Sequence, residues 1–182
     1  MTMSGGARRL VLIVHLTVSV GWMGAVAAYI ALDVTAATAD DAQILRAAYL
    51  AMAMVTRYVV VPLAVGSLLT GVVISLGTKW GLFRHYWVLI SLVLTVAATG
   101  VLLAETRTIN AFAAVAADSA ASADDLRALG GTLVHSVGGL VVLAVIMVLN
   151  VYKPQGMTRY GWRKQQQRRA APRPPTSRAL SG

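Results

Sequence analysis

Four long apolar stretches alternate with short polar segments along this chain of 182 residues. The stretches predict membrane-spanning helices, because about 20 apolar residues are needed to cross a hydrocarbon core about 30 Å thick. The second helix is expected to begin before its span, near Ala42, where an apolar pattern already starts. The predicted fold is all-α, an antiparallel bundle of four transmembrane helices. The predicted spans are residues 10–32, 58–76, 88–104 and 132–151.

The polar segments differ in the sign of their charge. All seven acidic residues lie in 33–41 and 105–125, whereas twelve of the sixteen basic residues lie in the other polar segments. This alternation is typical of the positive-inside rule. It predicts a multi-pass plasma-membrane protein whose residues 1–9 and C-terminus are cytoplasmic. A signal peptide cleaved near Ala37–Ala39 is the alternative, but the first apolar stretch is too long for one.

Composition limits the possible chemistry. The chain is 57% hydrophobic and contains no cysteine, so disulfides and thiolate metal sites are excluded. The net charge of +9 arises largely from residues 153–182, a polar and proline-containing segment predicted to be a disordered cytoplasmic tail. We expect this tail to bind anionic lipid headgroups of the bilayer and not nucleic acid.

The remaining connections carry local signals. Residues 105–131 are predicted to form a long, alanine-rich outer connection in which Ser122 caps a short helix ending at Leu129. Pro62 is expected to kink the second helix. Small residues four apart, such as Ser67 and Gly71, predict close helix packing within the membrane.

Two of the three histidines, His15 and His135, lie inside predicted spans. An ionisable side chain there is costly and often functional, and imidazoles on bundle helices are common haem ligands. A neutral imidazole bonded across a helix interface is the alternative. The two lie roughly 16 Å apart along the membrane normal, so they are not expected to hold one iron. Met147 lies at the depth of His15 and is a candidate second ligand, although such methionines usually pack.

Arg57 is the candidate residue for an acidic group on a ligand. It precedes Tyr58 at the predicted outer end of the second span. An arginine there can bind a carboxylate, such as a haem propionate, or pair with Glu105 or Asp33. A snorkelling arginine at a helix end is the alternative.

Trp22 follows His15 by seven residues and therefore shares its helix face. It is expected to pack on a macrocycle or to fill the bundle interior. His85 is predicted to belong to an aromatic and basic interfacial anchor. The predicted spans contain no acidic residue, which argues against a carboxylate proton relay within them.

Several motifs resemble known membrane families. His15 with Gly21-Trp22-Met23-Gly24 resembles the first helix of the CopD-like and HemJ-like membrane proteins. A closer resemblance, over residues 10–161, is to an uncharacterised bacterial four-helix integral membrane family. The motifs that carry it are 57–63, 69–71, 78–82, 85–87 and 150–154. The CopD-like and HemJ-like resemblance implies four or more helices and a b-type haem held by His15, but the polar residues of later helices in HemJ-like proteins have no counterpart here.

These patterns lead to one principal expectation about function. We expect an integral membrane protein that binds b-type haem or a porphyrin in a redox-type role, with His15 as first and His135 as second ligand candidate. The alternatives are a non-enzymatic membrane component or complex subunit with structural histidines, and a copper-handling protein by analogy with CopD. Neither spans nor motifs decide whether the protein is an enzyme.

Overall fold

Four long helices dominate the computed structural model of the protein, which describes residues 3–77, 82–154 and 156–170. All four are long and apolar enough to cross a membrane, and no strand occurs in the described residues. The predicted all-α membrane bundle is therefore confirmed. The elements are α1 (Gly5–Thr38), α2 (Ala42–Val55), a π-helical segment (Thr56–Val60), α3 (Val61–Gly77), α4 (Tyr86–Ala117), α5 (Ala123–Ala128), α6 (Leu133–Tyr152) and α7 (Arg159–Ala170). The α2, π-helical and α3 segments form one continuous helix, Ala42–Gly77.

The long helices form a closed ring of neighbours. Each packs against the next along the chain, and α6 returns to pack against α1. Between 11% and 22% of the most apolar part of each helix is buried inside the bundle. The remaining apolar surface needs a lipid environment, because a water-soluble protein rarely exposes so much of it. The chain is an integral, multi-pass membrane protein.

The contact between α1 and α3 is built from small and polar residues. The Oγ atoms of Ser19 and Ser67 lie 2.8 Å apart. A side chain at Gly66 would be 3.6 Å from Val18, so the helices touch at this glycine. The close packing predicted from Ser67 and its small neighbours is thus present at this interface, as expected for helices that associate within lipid.

The helices differ in length, and the difference falls at one end of the bundle. At about 1.5 Å per residue, the 34 residues of α1 extend about 50 Å, whereas the 20 residues of α6 extend about 30 Å. The three longer helices continue past the start of α6, and α5 covers them. We call this the acidic end, since it carries Asp40, Asp41, Asp118, Asp124 and Asp125. The basic end carries Arg8, Arg9, Arg84 and Lys153.

The acidic end has a compact core of its own. Leu45, Tyr49 and Leu126 are almost fully buried there, and the Tyr49 hydroxyl donates to the Gly130 carbonyl at 2.8 Å. Arg46 donates to the carbonyl of Ala116 at 2.9 Å and to two further carbonyls beyond the end of α4. Cationic donors commonly satisfy the free carbonyls of a helix C-terminus in this way. The result is a packed cap on the bundle.

Two helices extend beyond the predicted spans. The predicted span 10–32 lies within α1, which continues to Thr38, and the predicted span 88–104 lies within α4, which continues to Ala117. Alanine-rich sequence favours helix whether or not lipid surrounds it, so polarity marked the membrane boundary and not the helix end. The early start of the second helix at Ala42 is confirmed, with Asp41 capping it through the backbone N–H groups of Gln43 and Ile44.

The second long helix changes its hydrogen-bond pattern just before Pro62. Across residues Thr56–Val60 the bonds span five residues, and the Val61 N–H donates to the Thr56 carbonyl. Proline has no N–H to donate to the carbonyl four residues earlier, and a π-helical turn adjusts the helix around such an interruption. At the position where the sequence predicts a kink, the structure has a π-helical segment that precedes the proline.

The short helix α5 begins as predicted. Ser122 caps it, and Asp125 accepts from the hydroxyl and backbone N–H of Ser122 at 2.7 and 2.8 Å. This reciprocal arrangement is a capping box. These hydrogen bonds stabilise the ionised carboxylate and lower the pKa of Asp125.

The start of the C-terminal segment docks on the connection before α4. Thr158 N–H donates to the Arg84 carbonyl at 3.0 Å, and Tyr86 N–H donates to the Gly156 carbonyl at 3.3 Å. Gly161 is buried so tightly that a side chain there would lie 2.6 Å from the Arg84 carbonyl oxygen. The prediction of disorder from residue 153 therefore needs correction for residues 156–170, which form backbone hydrogen bonds and a helix. The low hydrophobicity of this segment did not indicate that structure. Residues 171–182 lie outside the described part.

Candidate functional site

A cavity of about 380 Å³ lies inside the bundle, toward the acidic end. All four long helices contribute to its walls, which are mostly aliphatic, with Trp22 from α1 and Leu143 from α6 both buried against it. This volume falls within the range of about 300–1,000 Å³ typical of small-molecule sites. The polar side chains on its walls are Tyr29, Thr56, Glu105, Thr132, His135 and Ser136.

The cavity opens sideways between α4 and α6. Ala97 and Val101 on α4, and Val134 and Gly138 on α6, line the cavity and are also exposed at the bundle surface. A side chain at Gly138 would meet nothing within 4 Å, so the space beside it is free. Since this face belongs to two candidate membrane spans, the opening faces the bilayer.

His135 and Glu105 face each other across the cavity wall. The imidazole Nε2 lies 3.8 Å from Oε1 of Glu105, which is close enough for an ion pair but too long for a hydrogen bond. The His135 side chain is 56% exposed and that of Glu105 is 23% exposed. Both side chains line the cavity, so a ligand inside it can contact the pair.

Asp33 forms a buried polar centre next to the cavity. Its side chain is fully buried and accepts three hydrogen bonds, from the Thr132 N–H at 3.2 Å, the Thr132 hydroxyl at 2.9 Å and the Ser136 hydroxyl at 3.0 Å. The Tyr29 hydroxyl lies 2.7 Å from Thr132 Oγ1. Because the Thr132 hydrogen points to Asp33, Tyr29 is the donor in that pair. A chain of hydrogen bonds thus joins the cavity wall to the carboxylate.

The sequence interpretation missed this centre. It placed Asp33 and Glu105 in polar connections and concluded that the spans hold no acidic residue. In the structure both lie within long helices, and Asp33 is fully buried. A signal was present, because Asp33 follows Tyr29 by one helical turn and extends the same buried face.

His15 lies at the contact between α1 and α3. Its Nδ1 is 2.9 Å from Thr70 Oγ1, whose own hydrogen points to the Gly66 carbonyl at 2.6 Å. Nδ1 is therefore the donor to Thr70. The ring packs on Gly71, where a side chain would come within 3.2 Å of it. His15 does not line the cavity that contains His135.

The other candidate residues are dispersed. Trp22 lines the cavity, but Met147 is 45% exposed on α6. Arg57 stacks over Tyr58 at 5.6 Å and lines a second cavity of about 250 Å³. It forms no ion pair with Glu105, which lies beside His135, or with Asp33, which accepts from Thr132 and Ser136.

Within residues 3–77, 82–154 and 156–170, no three histidine, aspartate or glutamate side chains converge on a possible metal position. The arrangement instead offers one imidazole with a carboxylate beside it, on the wall of an apolar cavity. Comparison of the chain with protein families, with curated proteins and with solved structures found no match.

Proposed function

We propose that this integral membrane protein binds b-type haem or a related porphyrin in the bundle cavity, in a redox-type role. The observation that carries the proposal is the His135–Glu105 pair on the wall of an apolar cavity that opens toward the bilayer. A porphyrin is flat and apolar, and its ring nitrogens supply most ligands of the metal. One protein imidazole therefore suffices as an anchor, and a three-residue metal cluster is not required.

His135 is the better anchor of the two histidines. His15 already bonds Thr70 and packs on Gly71, outside the cavity. Metal-binding histidines usually direct their second nitrogen to a carboxylate, which fixes the ring and raises its basicity. Glu105 is placed for that task when Nδ1 of His135 faces the ligand. This reverses the order of the two histidines expected from the sequence.

The remaining walls fit a flat apolar ligand. Trp22 presents a large buried aromatic surface to the cavity. Gly138 and Gly139 remove side chains from the facing helix, which leaves room for a ring. Bound haem would supply one-electron chemistry, while this chain would bind it, orient it and keep water away. The resemblance of the first helix to CopD-like and HemJ-like proteins supports the same ligand class.

We further propose that the protein lies in the plasma membrane with its acidic end outside and both termini in the cytoplasm. The support is the charge asymmetry between the two ends. In this orientation the basic segment after α6 meets the anionic lipids of the cytoplasmic leaflet.

The test is the haem content and the reduced-minus-oxidised spectrum of protein purified from haem-replete cells. His135→Ala should remove most of the haem, and Glu105→Gln should weaken its binding by about 10-fold or more. His15→Ala should retain haem despite a loss of stability. His85→Ala is the matched control at the basic end. Wild-type protein without haem, under conditions where added porphyrin also fails to bind, would overturn the proposal.

The second candidate is a non-enzymatic membrane component with structural histidines. The His15–Thr70 hydrogen bond favours it, because it satisfies that imidazole without a ligand. If His135→Ala lowers thermal stability and the wild-type protein binds no porphyrin, this reading replaces the first. Copper handling receives no comparable support, since Met147 is 45% exposed on α6 and does not line the cavity that contains His135.

A further inference from the structure

The threonines in the helices of this protein usually satisfy their own hydroxyl groups. Within the described helices, five donate to the carbonyl four residues earlier, as is common in membrane helices. They are Thr35, Thr38, Thr70, Thr95 and Thr99. Thr56 differs, because its side-chain oxygen is buried and has no hydrogen-bond partner.

Thr56 also has an unusual position. It is 3% exposed, it begins the π-helical segment, and it lines both the bundle cavity and the second cavity. An unpaired buried hydroxyl destabilises the fold, so such a group calls for an explanation. π-Helical turns are frequent at functional sites.

The second cavity has a positively charged residue on its wall, next to Thr56 in the chain. Its walls include Arg57, the next residue, together with Thr106 and Asn110 on α4. Thr106 and Asn110 immediately follow Glu105 and Ile109, which line the bundle cavity. Two adjacent faces of α4 therefore line the two cavities, and Thr56 contributes to the walls of both. Arg57, together with the polar side chains of Thr106 and Asn110, favours an anionic ligand group that accepts hydrogen bonds.

We infer that Thr56 and Arg57 form a subsite for a carboxylate on the ligand that occupies the bundle cavity. The inference rests on the proposed function and narrows the ligand to apolar molecules that carry an acidic side chain. Glu105 lines the same cavity and would repel a carboxylate placed beside it. The acidic group of the ligand therefore belongs at the Thr56 side of the cavity, away from the His135–Glu105 pair.

The experiment compares binding of protoporphyrin and its dimethyl ester to full-length protein in lipid nanodiscs. Wild-type protein should bind the diacid more tightly than the ester. Thr56→Val should weaken diacid binding by about 10-fold, the usual effect of losing a hydrogen bond to a charged group. Thr56→Ser should bind the diacid as tightly as the wild type, because serine keeps the hydroxyl group. Arg57→Gln should abolish the preference for the diacid over the ester.

A stability measurement separates this role from a structural one. Thr56→Val removes an unpaired buried hydroxyl, so it should raise the thermal stability of ligand-free protein while it weakens diacid binding. Ser91→Ala is the matched control, because Ser91 Oγ is also buried without a partner but lines neither cavity. That variant should leave binding unchanged.

The outcomes are distinguishable. Equal binding of diacid and ester to wild-type protein, unaffected by Thr56→Val and Arg57→Gln, would overturn the carboxylate subsite while the proposed function stands. Binding of neither porphyrin would overturn the proposed function, and the subsite with it. A loss of stability in ligand-free Thr56→Val would also contradict the inference, since it would show that the hydroxyl already has a partner.

Discussion

Thr132 donates both its backbone N–H and its hydroxyl to the buried carboxylate of Asp33, at 3.2 and 2.9 Å. The two residues are separated by almost one hundred positions, and their contact ties the last turns of α1 to the first turn of α6. A carboxylate at a helix N-terminus also interacts favourably with the helix dipole. This contact therefore fixes the depth at which the shortest of the four long helices begins.

Replacement of Asp33 should be strongly destabilising. Asp33→Asn keeps the size of the side chain but turns one acceptor into a donor that faces other donors. We expect a loss of about 2–4 kcal/mol, because buried donors are left without partners. Asp40→Asn, at an exposed position of the same end, should cost under about 0.5 kcal/mol. Denaturation in detergent measures both, and equal effects would contradict the role assigned to Asp33.

Gly161→Ala should release the C-terminal segment from the connection before α4. The added methyl group would lie 2.6 Å from the Arg84 carbonyl oxygen, so the backbone must separate. Limited proteolysis of the variant should cut between residues 154 and 170 faster than in the wild type. Gly156→Ala is the control, because its methyl group would lie an ordinary 3.7 Å from Tyr86. Identical cleavage rates in the two variants would argue against docking through Gly161.

Removal of residues 163–182 should leave the fold intact and weaken lipid binding. The contacts of Thr158 and Gly161 remain in this truncated chain, so its thermal stability in detergent should be nearly unchanged. Binding to vesicles that contain phosphatidylserine should fall by about 1 kcal/mol for each lost basic residue near the surface. Neutral vesicles provide the control. Equal loss on both vesicle types would show that the tail is not held by charge.

Reporter fusions at Ala39 and at Gly182 should give opposite signals. Ala39 follows the first long helix at the acidic end, and Gly182 lies beyond the fourth. The positive-inside rule places Gly182 in the cytoplasm and Ala39 outside. The informative control is a fusion in the connection before α4, within residues 82–85, which should report the same side as Gly182. Matching signals at Ala39 and Gly182 would overturn this topology.

The sequence predicted the bundle well because each helix carries its own signal. Apolar length revealed four crossings, Ser122 revealed the cap of α5, and the pattern before Tyr58 revealed the early start at Ala42. The cavity was harder to predict because it depends on which faces of different helices converge. Asp33 and Thr132 are far apart in the chain, and only their packing shows that an apparently exposed aspartate is buried.

The histidines show the same limit of prediction from sequence. Depth along each helix already separated His15 from His135, and the structure places them in different contacts, with Thr70 and Glu105 respectively. Depth could not tell which imidazole faces a cavity, because that depends on rotation about the helix axis. The free hydroxyl of Thr56 was equally hidden, since it depends on the absence of a bond that other threonines make.

The sideways opening between α4 and α6 determines which ligand concentration controls the occupancy of the cavity. A molecule that reaches the cavity through this opening dissolves first in the bilayer, so occupancy follows its mole fraction among the lipids and not its concentration in water. Two preparations with the same total ligand but different amounts of lipid would then show different occupancies. The measured affinity at this site therefore reflects how the ligand partitions between the cavity and the surrounding lipid.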